Sequence, residues 1–243
     1  ALVKDYKGDQ SLALGEAFDP SPANIHARTK RVDWPSGLRA ALLTKKTRGA
    51  RVVAQISLRF GSADSLRGKQ SAAMLAGDML MRGTTQLTRQ QLEDELDRLG
   101  AQVSVAGDLS GAMAMIESKR ENLPAALRLA AQMLRAPRFD PAEFEQTKAQ
   151  RIANIEQQLS DPRALAAQQF NRHLNPYPRD DVRYVATYAE QIADLKASTL
   201  DEAQRFHHDF YGATNAEAAV VGDFDDAAIA ELLRELFADW KSP

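Results

Sequence analysis

Hydrophobic and polar positions follow two different periods along the chain, and each period predicts a different element. Residues 50–62 alternate at every second position, which is typical of a strand with one buried face. From Gly68 to about Arg82 the apolar residues recur every three or four positions, which predicts a helix. Thr88 and Gln91 have the spacing of a capping box, so a second helix is expected to begin there.

The same two periods continue to the end of the chain. Further strands are predicted within 31–46, 102–118 (a hairpin) and 215–224, and further helices within 122–137, 140–159, 161–174, 198–212 and 225–240. Neighbouring strands mixed with neighbouring helices predict an α+β fold, with a mainly antiparallel sheet and helices packed on it. A Gly-rich phosphate loop after a strand, as in nucleotide-binding folds, does not occur.

Residues 1–30 differ from the rest because they lack sustained periodicity and contain Pro20 and Pro22. They predict a linker or extended lead-in, followed by one domain over residues 31–243. The chain starts at Ala1 without an initiator Met or a signal sequence, so we expect a piece of a longer polypeptide.

Composition narrows the possible functions. The chain is 44% hydrophobic and 26% charged, with a net charge of −2, which is ordinary for a globular protein and offers no basic footprint for nucleic acid. No apolar run has the length of a membrane-spanning helix. The absence of cysteine excludes disulfides, thiolate catalysis and cysteine zinc sites, and it leaves the compartment open.

Histidine is the first candidate for metal binding or acid–base chemistry, and the chain has four. His26 lies in the predicted linker and His173 lies near a helix end. His207 and His208 are adjacent on a predicted helix, so they point about 100° apart and cannot easily share a metal ion. We predict that none of the four is a ligand or a base.

Serine and carboxylate chemistry has equally weak support. A G-x-S-x-G nucleophile motif does not occur. Two runs are rich in acids: Glu93, Asp94, Glu95 and Asp97, and Asp223, Asp225 and Asp226. The first run predicts a solvated helix face and the second a strand-to-helix cap, while paired carboxylates for acid–base work remain an alternative.

An ordered set of short motifs carries a resemblance. The chain has, in order, Gly61-Ser62, Arg82-Gly83-Thr84 and Leu99-Gly100-Ala101, and then "ENLPAALRLAAQMLRAPRFDPAEFEQTKAQ" and "FHHDFYGATNAEAAVVGDFD". Over roughly residues 31–240 this set resembles the pitrilysin/insulinase family of zinc metallopeptidases, the inverzincins. Active members carry H-x-x-E-H on the helix before the Gly-Thr pair, where two His hold zinc and the Glu activates its water.

The resemblance implies that this metal site is degenerate. Met74, Gly77 and Asp78 occupy the positions of the first His, the Glu and the second His. The third ligand of the family, a Glu, aligns near Ala153 and Asn154. A neutral thioether is a poor zinc ligand and glycine cannot act as a base. We therefore expect no catalytic residue and no zinc in this segment, a helix that serves as core, and a hydrogen-bond partner for Asp78.

Members of this family commonly contain paired halves, one with the zinc helix and one degenerate half that closes the chamber around the peptide. The resemblance thus implies a non-catalytic domain of a bacterial-type zinc metallopeptidase. Its partners would be a catalytic half, on the same chain or on a partner subunit, and a peptide substrate bound by strand addition to a sheet edge. Zinc is expected only in that catalytic half, and the analogy points to the periplasm.

Two alternatives remain open at this stage. The first is a structural core subunit of a larger complex with no proteolytic role, similar to inactive relatives that scaffold assemblies. The second is an unrelated α+β binding module. Neither nucleic acid nor a membrane is expected as a partner.

Overall fold

The computed structural model describes residues 15–243. The helices are α1 Pro22–Arg28, α2 Gln70–Met79, α3 Arg89–Leu99, α4 Leu123–Arg135, α5 Pro141–Gln158, α6 Pro162–Leu174, α7 Tyr188–Ala197, α8 Leu200–Phe210 and α9 Asp226–Phe237. The strands are β1 Lys30–Asp33, β2 Arg39–Thr44, β3 Arg51–Arg59, β4 Gln102–Gly107, β5 Gly111–Lys119 and β6 Ala216–Gly222.

One mixed sheet organises these elements, with the strand order β1-β2-β6-β3-β5-β4. Every neighbouring pair is antiparallel except β2 and β6. Since β2 and β3 run in opposite directions and β6 enters between them, β6 must be parallel to one of the two. The prediction of an α+β fold with a mainly antiparallel sheet is confirmed.

The helices cover one face of this sheet. On β3 the side chains of Val52, Ala54 and Ile56 are fully buried, whereas those between them point to the open face. The same alternation on β4, β5 and β6 buries one face, and α2 and α4 pack on β4 and β5. The open face carries several partly exposed apolar side chains, namely Val53, Met113, Met115 and Val221.

Several helix boundaries match their sequence signals. Thr88 and Gln91 form the capping box of α3, and Gly100 ends that helix with φ +54°. Asp140 caps α5 through the amides of Ala142 and Glu143. The carboxylate of Glu143 does not cap the helix in return, because it faces Arg82 and Arg89. No helix between residues 15 and 243 is both long and apolar enough to cross a membrane.

Three parts of the structure differ from the sequence expectation. Residues 22–28 form α1, because Ser21 accepts a hydrogen bond from Asn24 and Pro22 takes the first helical position. Those residues are therefore not an extended lead-in, and residues 1–14 lie outside the described part. The run 31–46 is two strands, because the turn at residues 34–37 divides it. Helix α7 was not expected, although Thr187 and Glu190 form its capping box.

Candidate functional site

Helix α2 carries the degenerate motif and lies between the sheet and α5. The side chains of Ala73, Leu75, Ala76 and Met79 are fully buried in the main core. Asp78 lies on the side of α2 that faces α5 and is half-buried. This helix therefore contributes to the core, as the sequence predicts, and leaves one carboxylate at its border with α5.

Asp78 forms a bidentate ion pair with Arg151 of α5. Arg151 Nε donates to Asp78 Oδ2 at 2.6 Å, and Nη2 donates to Oδ1 at 2.5 Å. The side chains are 20% and 42% exposed, and the hydrogen bond to Asp78 raises the pKa of Arg151. Fork-like pairs of this kind are among the stronger polar contacts in proteins. The pair ties α2 to α5 across the border of the core.

Sequence reasoning expected a partner for Asp78 but did not identify Arg151. The sequence spacing could have identified Arg151, because it precedes Asn154 by three positions and so lies on the same face of α5. Asn154 aligns near the family's third ligand. The side chains of Arg151 and Asn154 line the same cleft as Asp78.

Gly77 brings the backbone of α2 into contact with the β4–β5 hairpin. A Cβ built on Gly77 would lie 2.7 Å from the carbonyl carbon of Gly107, and closer still to its oxygen. Since the obstacle is backbone, it cannot rotate away as a side chain would. Position 77 therefore has no space for the glutamate that the family motif places there.

Tyr211 packs against Gly107 at this contact. It is 2% exposed, and its hydroxyl has no hydrogen-bond partner among residues 15–243. Burial raises the pKa of Tyr211, and the nearby carboxylates of Asp108 and Asp78 raise it further. The phenol stays neutral at physiological pH and fills space beside Gly107.

The residues at the family's metal positions do not fit zinc. Both oxygens of Asp78 accept from a cationic guanidinium, which would repel a divalent cation. Met74 packs partly buried against the core and offers only a thioether. Asn154 Oδ1 accepts from Gln150 Nε2 at 3.0 Å, and Ala153 has no donor atom. Residues 15–243 contain no group of three His, Cys, Asp or Glu side chains placed to hold a metal.

The histidines occupy unrelated surroundings. His207 is partly buried beside the core, with Nε2 2.8 Å from the carbonyl oxygen of Leu134 and its ring 4.4 Å from that of Tyr211. A carbonyl only accepts, so Nε2 carries the proton, and burial lowers the pKa of His207. His208 is exposed beside Asp209, while His26 lies on α1 and His173 in the last turn of α6.

The acid-rich runs have structural roles in the described residues. Asp225 caps α9 by accepting from the amide of Ala228 at 2.9 Å. Asp223 accepts from Arg120 Nη1 at 2.7 Å. The acids of α3, predicted as a solvated face, are exposed or half-exposed.

Two family profiles match the chain. The profile described as Insulinase (Peptidase family M16) matches residues 41–176, and the one described as Peptidase M16 inactive domain matches residues 197–243. The chain belongs to peptidase family M16. The predicted membership of this family, as a degenerate non-catalytic domain, is confirmed. A search of curated proteins finds no match to this M16 chain.

Solved structures share the fold of this M16 domain at low sequence identity. A protease from Helicobacter pylori superposes with a TM-score of 0.73 and 19% identity, over 88% of this chain and 51% of that one. The peptidase M16 inactive domain from Pseudomonas fluorescens gives 0.72 and 19%, over 88% and 52%. The ferredoxin protease FusC, in complex with Arabidopsis ferredoxin, gives 0.69 and 17%, over 88% and 24%. The M16 chain thus spans about half the length of the first two structures.

Replacing Gly77 with alanine should destabilise the domain. In an ordinary helix interior Gly→Ala stabilises by roughly 0.5–1 kcal/mol. Here the new methyl group meets the Gly107 backbone, so we expect a loss of about 2 kcal/mol in the free energy of unfolding, measured with urea. The exposed Ala166 of α6 is the control, and Ala166→Gly should show the ordinary helix preference. A Gly77→Ala variant that is more stable than the parent would contradict the close approach.

The Asp78–Arg151 pair should show coupling in a double-mutant cycle of unfolding free energies. Asp78→Asn and Arg151→Gln each remove the bidentate contact, and we expect a coupling energy of about 1 kcal/mol, since both groups are partly buried. The exposed pair of Asp201 and Arg205 on α8 is the matched control. Its coupling should be smaller, about 0.3–0.5 kcal/mol, as is usual for an exposed pair one helical turn apart. Equal coupling in the two cycles would mean that the Asp78 pair is an ordinary surface contact.

Proposed function

We propose that this domain is a non-catalytic part of an M16 peptidase and completes the chamber in which a peptide is held for cleavage. An H-x-x-E-H half, on the same chain or on a partner subunit, would carry the zinc and the catalysis. The observation that supports the proposal is the geometry of the degenerate motif. Arg151 forms two hydrogen bonds with the Asp78 carboxylate, and Gly77 packs against the backbone of Gly107, where a catalytic glutamate would not fit. On this account the domain alone binds no zinc and cleaves no peptide.

Strand β4 supplies an open edge for an extended peptide. Within residues 15–243 it is the last strand of the sheet and pairs with β5 alone. The amide of Val105 donates to Met81 Sδ at 3.3 Å and therefore points away from β5. Since the backbone direction alternates along a strand, Val103 and Val105 face the free edge. A peptide strand could pair there with the N–H and C=O groups of Val103.

A groove of about 570 Å³ runs beside this edge. It is bordered by α3 on one side and by Ala101 and residues 102–104 of β4 on the other. Three of its lining residues are acidic, and Arg89 and Arg51 pair with Glu93 and Glu117. Since the lining itself contains no basic residue and Asp97 adds a further negative charge, the groove favours a peptide with basic side chains. The ferredoxin protease FusC, one of the structural neighbours, was solved with a protein bound, which supports a protein or peptide as the class of ligand.

One observation favours the alternative of a structural subunit. On α6, Phe170 and Leu174 are 62% and 58% exposed and lie one helical turn apart. Another protein covering this face would remove that apolar area from water. A purely structural subunit has no reason to bind a peptide in one strand register, so a test of peptide binding separates the two proposals.

The chain should bind an extended lysine-containing peptide and leave it intact. Two N-methylated versions of the peptide provide the decisive comparison, one modified at the odd amides and the other at the even amides. A strand added to β4 presents only one set to the edge, so one version should lose about tenfold or more in affinity and the other little. Fluorescence anisotropy measures affinity, and mass spectrometry checks that the peptide remains whole.

Equal affinity of both N-methylated peptides would contradict strand addition at β4. Absence of any binding would contradict the chamber role and favour the structural alternative. Cleavage that a chelator abolishes, after contaminating proteases have been removed, would contradict the non-catalytic assignment.

A further inference from the structure

We propose that the cleft between α2 and α5 binds a carboxylate group of the peptide. This cleft, called here the arginine cleft, measures about 140 Å³ and is lined by Asp78, Arg82, Thr147, Gln150, Arg151 and Asn154. The proposal rests on the proposed function, since it concerns the peptide that the domain holds. It assigns a ligand to the place where an active relative would hold its metal.

Both arginines of the cleft have hydrogen-bond donors to spare. Arg151 uses Nε and Nη2 on Asp78, which leaves Nη1 outside that pair. Arg82 Nη1 lies 3.6 Å from Glu143 Oε2, which is too far for a hydrogen bond. Within residues 15–243, that glutamate oxygen has no hydrogen-bond partner. An oxyanion in the cleft would meet two guanidinium groups, and the planar fork of each matches a carboxylate.

Thr147 provides a second and independent sign of a ligand. Its side chain is only 4% exposed, and its hydroxyl has no hydrogen-bond partner in the described part of the chain. A helical threonine usually satisfies its hydroxyl on a carbonyl of the preceding turn, and leaving it unpaired in the interior is costly. A carboxylate oxygen in the cleft offers an acceptor for that hydroxyl after rotation about one bond.

Charge selects a carboxylate over a phosphate. Among the lining residues, Arg82 and Arg151 carry two positive charges and Asp78 one negative charge, and the carboxylate of Glu143 adds a second negative charge 3.6 Å from Arg82. A singly charged carboxylate adds less charge to this set than a phosphate dianion, which would face both fixed carboxylates. The cleft has room for several water molecules and therefore for one carboxylate group. The source is either an acidic side chain or the C-terminal carboxylate of the peptide.

The test compares peptides that differ only in this charge. The lysine-containing peptide is prepared with Glu or Gln at each position in turn, and with a free or amidated C-terminus. Binding to the 243-residue chain is measured by fluorescence anisotropy at fixed ionic strength. One carboxylate should strengthen binding about tenfold over its neutral counterpart, since it gains charge-assisted hydrogen bonds. A Glu-dependent gain identifies a side chain, and a gain from the free terminus identifies the C-terminal carboxylate.

Variants of the chain locate the effect. Arg82→Gln should remove the preference for the carboxylate and leave binding of the neutral peptide unchanged. Arg89→Gln is the matched control, because Arg89 also contacts Glu143 but lies outside the cleft. It should keep the preference. Thr147→Val should weaken binding of the carboxylate peptide about threefold, because the hydroxyl can no longer donate to the carboxylate. It should not lower the melting temperature of the free chain, because that hydroxyl is unpaired there.

Several results would overturn the proposal. The proposal would be overturned if the peptide bound equally well with Glu or Gln and with a free or an amidated C-terminus. That result would not contradict the proposed chamber role. A preference that survives in Arg82→Gln would place the carboxylate elsewhere. Inorganic phosphate that competes better than acetate at equal ionic strength would show that the cleft selects a different anion. Because the peptide comparison needs no variant, a variant that fails to fold does not leave the question open.

Discussion

The ion pair between Asp78 and Arg151 determines what the M16 helix can do in this chain. Both oxygens of the Asp78 carboxylate accept from the same guanidinium, whose positive charge lies where a cation would approach and so opposes cation binding. The same contact joins α2 to α5, the two helices that hold the ligands in active members. A contact between side chains thus connects the elements that a metal connects in the active relatives.

The fold depends on interactions outside the family's metal positions. The buried face of the sheet and the apolar stripes of α2, α4 and α8 make one continuous core. At Gly77 the helix even approaches the β4–β5 hairpin more closely than a residue with a side chain would allow. The position of the catalytic glutamate has thus become part of the packing. The chain shares its fold with two solved structures at 19% identity.

Local sequence patterns predicted most helices and strands, but they did not predict contacts between residues far apart in the sequence. The two-residue period of β3 and the capping box at Thr88 depend on neighbours within a few positions, and the sequence predicts both. Helix α1 was missed because its proline reads equally well as a turn signal. Asp78 and Arg151 are 73 positions apart, so no local pattern reveals their contact. The family resemblance located the degenerate site, but only the structure showed that Arg151 pairs with Asp78 there.

The most direct test of this account is crystallographic. Crystals of the chain soaked in zinc would be measured on both sides of the zinc absorption edge, and the anomalous map inspected around Asp78. The account predicts no peak within about 2.2 Å of its carboxylate, the usual zinc–oxygen distance, and an unchanged contact with Arg151. A strong peak on Asp78, with Arg151 displaced, would contradict it.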